Sequence, residues 1–288
     1  MAALRKTWHT AKLALVLIGC IAASEASAAI ACNVTVTSIS TVYDPTVATE
    51  NLTTGSYTVS CTRLGGDPNT LNYTLGANDG LQPAGLTNRV QLGANRYSYE
   101  VYRLSPYNLF NSWEDFLAFF RFAGTVNFGA SLAASHSAPF TLRVAGSQPI
   151  VPAGTYTDTV TATLRSGAVI LDTSTFGVSV ITTNSCQISS PPGNVNFTYT
   201  SFQVAAAAAS TSFGARCTSA LPYTMALDAT SGTLLGLNYT LALSAAGGTG
   251  TGITQTYSIN GSIAGGQAGT CATASCVGSQ TRTLTISY

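Results

Sequence analysis

The sequence predicts an all-β protein made of two β-sandwich domains in tandem, on three observations. Charged residues make up only 8% of the 288-residue chain, and Ser, Thr, Ala, Gly and apolar β-formers fill the rest, a balance too apolar for disorder and suited to pleated, half-buried surfaces. Short runs that alternate apolar with small or polar residues recur between Gly, Pro, Asn and Asp breaks, the period-2 signature of strands with one buried face. The runs that follow Cys32 are also answered, in order, by runs that follow Cys186, as in an internal repeat. The two copies differ at their ends. Thr175–Ile181 (TFGVSVI) places Phe176, Val178 and Val180 on one face and follows what would otherwise be the last strand of the first copy, whereas the second copy runs to Tyr288 with no such stretch. The first copy is therefore expected to complete itself in cis and the second to lack its last strand.

In chain order, residues 1–28 read as an export signal. Arg5, Lys6 and Lys12 precede the apolar run Leu13–Ala23, and Ala26-Ser27-Ala28 is a small-residue cleavage site. Leu17-Ile18-Gly19-Cys20 offers an alternative, lipid anchoring at Cys20. The domains follow as 29–183 and 184–288. Both lysines lie in the signal, which leaves nine arginines against ten acids. There is no basic field for nucleic acid.

Six cysteines remain after Cys20, an even number in an exported chain, and they read as disulfides. Spacing pairs Cys32 with Cys61, Cys186 with Cys217, and Cys271 with Cys276 in a small loop. A closed loop of about 30 residues contributes about 3.6 kcal/mol in the chain-entropy picture. With His136 as the one histidine of the exported part and no paired C-x-x-C units, no metal or other cofactor is expected. The same scarcity argues against an enzyme, since no nucleophile–base set can be assembled and no phosphate loop occurs.

The strands of the two copies correspond as follows. Thr58–Thr62 answers to Ala215–Thr218, Leu71–Leu75 to Tyr223–Leu227, and Tyr97–Tyr102 to Leu237–Leu241. Phe140–Val144 answers to Thr256–Asn260, and Thr155–Leu164 to Thr281–Tyr288. Two stretches depart from the pattern. Ala205–Ala209 is expected to form an irregular strand or a flexible connector, being too short for a helix of its own. Pro106–Phe122 is an aromatic insertion in which Phe116, Phe119 and Phe120 have helical spacing.

Several of these pieces carry a family resemblance: Cys32-Asn33-Val34, Tyr43-Asp44-Pro45, Val59-Ser60-Cys61-Thr62, Trp113, and Pro152–Val160 in the first copy; Cys217-Thr218, Gly265-Gly266-Gln267 and Leu284–Tyr288 in the second. Together they resemble the spore coat protein U domain, the family that also supplies subunits of archaic chaperone–usher pili. The second copy departs from it in having no Tyr-Asp-Pro and no Trp. The resemblance implies immunoglobulin-like sandwiches, the incomplete one filled first by a periplasmic pilus chaperone and then by the donor strand of the next pilin subunit delivered at an outer-membrane usher. A mature chain starting at Ala29 has three residues ahead of Cys32, while a donor strand needs roughly ten at ~3.3 Å each. The expectation is thus a subunit that accepts without donating: an adhesin at a pilus tip, exported through the periplasm to the cell surface and mediating attachment and biofilm formation to an unknown surface or receptor. A secreted coat or envelope protein of the same family is the alternative.

Two further site expectations follow. Trp113, Phe116, Phe119, Phe120 and Phe122 either pack a core or form an exposed adhesive loop. Tyr288, with its carboxylate, is the candidate anchor in the chaperone.

Overall fold

The computed structural model describes residues 30–288, so the expected signal and Cys20 lie outside the described residues. The described chain is all-β, with two short 3-10 turns and no α-helix. The first half contains β1 (Ala31–Val36), β2 (Ile39–Val42), β3 (Asn51–Thr62), β4 (Thr70–Ala77), β5 (Asn88–Leu92), β6 (Asn95–Tyr102), β7 (Phe122–Asn127), β8 (Ala133–Val144), β9 (Gly154–Ser166) and β10 (Val169–Thr182). Hydrogen bonding orders them β1-β3-β8-β6-β5 in one layer and β7-β4-β9-β10-β2 in the other, and the layers join at one edge where Gln91 of β5 pairs with Thr157 of β9. The inward faces carry Tyr57, Val59, Phe140, Leu142, Tyr99 and Val101 from one layer and Leu75, Val160, Leu164, Phe176, Val178 and Val180 from the other, all buried. Alternate residues of each strand face solvent, as the pleat requires.

Trp113 lies fully buried between the layers. Its ring stands 5.1 Å from Phe122 and from Phe140 and stacks at 5.8 Å on Phe176 of β10. Its indole N–H donates to the Leu75 carbonyl at 2.8 Å, so the polar edge of the ring is satisfied inside the core.

The second half contains β11 (Cys186–Ser190), β12 (Ala207–Cys217), β13 (Pro222–Leu227), β14 (Ser231–Leu234), β15 (Leu237–Leu243), β16 (Gly247–Thr249), β17 (Gln255–Ile263) and β18 (Leu284–Ser287). Its two sheets run β11-β12-β17-β15-β14 and β16-β13-β18, which repeats β1-β3-β8-β6-β5 and β7-β4-β9 strand for strand. Among the described residues, no strand of the second half corresponds to β2 or β10. The alanine run corrects one expectation: Ala207–Ala209 open β12 in regular register with Ile263, Ser262 and Gly261. The ladder satisfies backbone groups that five residues of helix could not, and this outweighs the helix preference of alanine. Disulfides join Cys32–Cys61, Cys186–Cys217 and Cys271–Cys276, the first two bridging directly opposed residues of a strand pair.

Candidate functional site

A hydrogen-bonded clasp, present in both halves, fixes which residues correspond. In the first half the Tyr43 hydroxyl donates to the Ala145 carbonyl at 2.9 Å. Gln148, three residues on, receives the Ser98 N–H on its side-chain oxygen at 2.7 Å and returns its amide to the Ser98 carbonyl at 2.8 Å. In the second half the Tyr199 hydroxyl donates to the Ala264 carbonyl at 3.2 Å. Gln267 receives the Asn238 N–H at 2.7 Å and donates to the Asn238 carbonyl at 3.0 Å. The turns Ala145-Gly146-Ser147-Gln148 and Ala264-Gly265-Gly266-Gln267 even share a left-handed third residue, Ser147 at φ 59° and Gly266 at φ 80°. Sequence reasoning noted the second turn and passed over the first.

If Tyr43 matches Tyr199, then Ile39–Tyr43 matches Val195–Tyr199. In the first half this segment is β2, and it runs parallel to β10, with Ile39 opposite Val178 and Val42 opposite Ile181. The Tyr43 N–H extends the pairing to the Ile181 carbonyl at 2.8 Å. On its other side β10 runs antiparallel to β9 from Thr182↔Gly154 to Val169↔Ser166. In the second half Val195, Phe197 and Tyr199 still alternate inward toward the core. Phe197 and Val195 lie over Gly261, where a Cβ would collide with the Phe197 ring. Among the described residues, however, no strand pairs with 195–199, and β18 pairs on one side only, with β13. The side chains flanking this open edge, Leu284, Ile286, Val195, Phe197 and Tyr199, are half-exposed, whereas their first-half neighbours Val160, Ala162 and Leu164 are fully buried under β10.

A second feature lies at the far end of β6. Residues 103–121 form a loop with 3-10 turns at Leu109–Asn111 and Ala118–Phe120. Arg103 holds it by donating to the carbonyls of Ser112 at 3.1 Å, Arg121 at 2.9 Å and Phe110 at 2.7 Å. Asp115 is bracketed by Arg121 at 2.8 Å and Arg165 at 3.0 Å. Glu114 is buried beneath the loop. Burial, followed by the proximity of Asp79 and Glu100, raises its pKa to about 9, so at neutral pH it keeps a proton. Thus held, the loop exposes Phe110 (72%), Phe116 (51%) and Phe119 (57%).

Residues 17–163 and 172–249 match the family model of the Spore Coat Protein U domain. The chain belongs to the Spore Coat Protein U domain family. No curated protein sequence matches it. Among solved structures, the CsuC–CsuE chaperone–tip adhesion subunit pre-assembly complex from archaic chaperone–usher Csu pili of Acinetobacter baumannii is similar at 14% identity and TM-score 0.44, over 88% of this chain and 99% of that one. The CupB6 tip adhesin of Pseudomonas aeruginosa is similar at 8% identity and TM-score 0.37, over 89% and 94%. Self-complemented MyfA, the major subunit of Myf fimbriae of Yersinia enterocolitica, is similar at 11% identity and TM-score 0.26, over 54% and 98%.

Within this Spore Coat Protein U chain the expected site residues separate. Phe176, Val178 and Val180 face the first-half core. The aromatic set needs a correction: Trp113, Phe120 and Phe122 are buried and cannot form an adhesive surface, which leaves Phe116 and Phe119 exposed. The segment is a 3-10 turn rather than a longer helix, and the exposed Phe119 and Phe116 rings pack on the buried Phe120 ring at 4.0 and 4.8 Å between centroids. Tyr288 is exposed beyond the end of β18. Among the described residues no group of three His, Cys, Asp or Glu side chains could hold a metal.

Proposed function

We propose that this chain is an adhesin subunit of an archaic chaperone–usher pilus. Its second domain (184–288) joins the fibre by accepting a donor strand, and its first domain (29–183), closed by β10, projects from the tip. The observation that carries this reading is the pair of matched segments, Ile39–Tyr43 with a strand beside it and Val195–Tyr199 without one. An apolar groove flanked by two unpaired edges favours an added strand, which supplies ladder hydrogen bonds and alternate side chains together. By analogy with β10, the donor runs antiparallel to β18 and parallel to Val195–Tyr199. Before assembly a periplasmic chaperone fills the groove and Tyr288 anchors in it; an outer-membrane usher then exchanges the chaperone for the next subunit. The exposed Phe110, Phe116 and Phe119 contact the surface to be colonised, which begins biofilm formation.

The test is to fuse a second copy of residues 172–182 after Tyr288 through a flexible linker. Under this reading the C-terminal melting transition moves up by 10 °C or more and the fused protein no longer binds a donor peptide. If the unfused C-terminal half already melts as high as the first and gains nothing from the fusion, the groove is closed and the family's coat-protein role replaces the pilus reading.

A further inference from the structure

The nine arginines of residues 30–288 are disposed unevenly. Arg121, Arg143 and Arg165 pair with carboxylates. Arg63 and Arg282 lie over the rings of Phe128 and Tyr239. Arg103 is occupied by three carbonyls, and Arg216 donates to the Thr46 carbonyl. Arg89 and Arg96 remain. They stand on the outward face of the β5–β6 hairpin as diagonal neighbours, because Arg89 opposes Ser98 and Gln91 opposes Arg96. Neither forms an ion pair among the described residues.

Both guanidinium groups converge on Gln82. Arg89 donates through Nε to its carbonyl at 2.8 Å and through Nη2 to the Pro83 carbonyl at 2.9 Å, which fixes its orientation. Arg96 has only long contacts, 3.5 Å to Gln82 Oε1 and 3.5 Å to the Ala94 carbonyl, and its Nε has no acceptor. Two like charges on neighbouring strands with no anion between them oppose sheet pairing. An oxyanion would relieve the repulsion and take up the terminal donors of Arg96, whose present contacts are long.

Beside the pair lies a cavity of about 310 Å³ lined by Gln82, Gln91, Leu92, Thr155, Thr157 and Asp158, together with Leu81 and Gly93. Its polar groups are amides and hydroxyls. The one carboxylate, Asp158, is already held by the Tyr99 hydroxyl at 2.7 Å and the N–H groups of Leu81 and Thr159 at 2.8 Å each. The size suits one sugar ring with an apolar face on Leu92. Two arginines in a nearly neutral protein cannot hold a polyphosphate backbone, but they match one acid group beside a ring of hydroxyls.

We infer that the β5–β6 hairpin of the first domain carries a binding site for a carboxylate-bearing polysaccharide, a polyuronate, with Arg89 and Arg96 on the carboxylate and the Gln82–Thr157 cavity on the adjoining hydroxyls. It is separate from the aromatic loop, since Tyr102, at the loop end of β6, lies six residues on from Arg96, about 20 Å of strand. It does not depend on the pilus reading, because a coat protein could use it equally.

The experiment is calorimetric titration of the full exported chain with oligogalacturonate, dextran and inorganic phosphate, for the native protein, Arg89→Gln and Arg96→Gln, with melting curves alongside. The expected result is oligogalacturonate binding that weakens about tenfold in each variant and weakens with salt, with no dextran binding. Arg89→Gln decides the matter if Arg96→Gln lowers the melting temperature. Unchanged affinity in a folded Arg89→Gln variant overturns the site. Equal binding of dextran overturns the acidic requirement, and displacement by an equal concentration of phosphate overturns the polysaccharide in favour of a simple anion.

Discussion

The two halves share every strand but two, and the cores they build differ far more than two strands would suggest. Among the described residues, twenty-seven fully buried side chains form the first core, with eight partly buried around it. The second core has nine fully buried and thirteen partly buried. The small residues of the second half explain part of the gap, and the rest is geometric. Strand β10 lies over β9 on one side and β2 on the other, so it closes the inner faces of both neighbours at once. Where no such strand lies, Leu284, Ile286, Val195, Phe197 and Tyr199 have the right sequence and the right facing yet remain half-wet. A sandwich that lacks one central strand thus loses the burial of three.

The sharpest way to break this comparison is to weaken β10. Phe176→Ala removes the ring stacked on Trp113 and should cost the first half ~3–5 kcal/mol, enough to bring its melting down toward that of the second half; calorimetry of the full chain would show the two transitions merging. The next largest effect should come from Cys186→Ala with Cys217→Ala. The bridged separations, 29 and 31 residues, are nearly equal, so either disulfide is worth about 3.6 kcal/mol. The half with the thinner core should nevertheless be the one that no longer folds unaided, as limited proteolysis before and after a donor peptide would reveal.

A smaller effect separates the halves by pH. Nine of the ten acids in the described chain lie in the first half and only Asp228 in the second. Glu114 is held at about 9, above its ordinary 4.5, chiefly by burial, so between those values the folded state keeps a proton that the unfolded state has lost. Stability of the first half therefore falls as pH rises through that window, by roughly 1 kcal/mol per pH unit from this group at its steepest. Glu114→Gln should flatten the slope, read from urea midpoints at pH 5, 7 and 9, and leave the second transition unmoved. The smallest effect on stability belongs to Phe116→Ala with Phe119→Ala, under about 1 kcal/mol. Attachment to a hydrophobic surface should be lost all the same. Trp113→Ala, three positions from the exposed Phe116 but central in the core, should cost ~3–5 kcal/mol instead.

The all-β fold and the order of its strands were legible because period-2 alternation and turn residues are local signals, and the cysteines at 32, 61, 186 and 217 keep the two copies in step. The insertion was not legible to the same degree. Trp-Glu-Asp-Phe-Leu-Ala-Phe-Phe offers six apolar side chains in eight residues, and which of them turn inward depends on the cross-loop bonds of Arg103 and on the pairing of Asp115 with Arg121 and the distant Arg165. The clasp was half-legible: Ala-Gly-Ser-Gln and Ala-Gly-Gly-Gln are visible as text, but their equivalence matters only once each Gln is seen bridging the neighbouring strand. The arginine pair on the hairpin was invisible, because what distinguishes Arg89 and Arg96 from the other seven is the company each keeps.

The three carbonyls held by Arg103 have a mechanical consequence. If the loop makes the contact proposed above, drag on an attached cell would pull the 103–121 loop sideways, and Phe110, Ser112 and Arg121 are fastened to a single planar group rooted at the end of β6. The load is shared by three bonds strained in parallel, so they cannot be unzipped one after another, and it passes directly into the sheet. A loop built this way resists peeling without having to be rigid along its whole length.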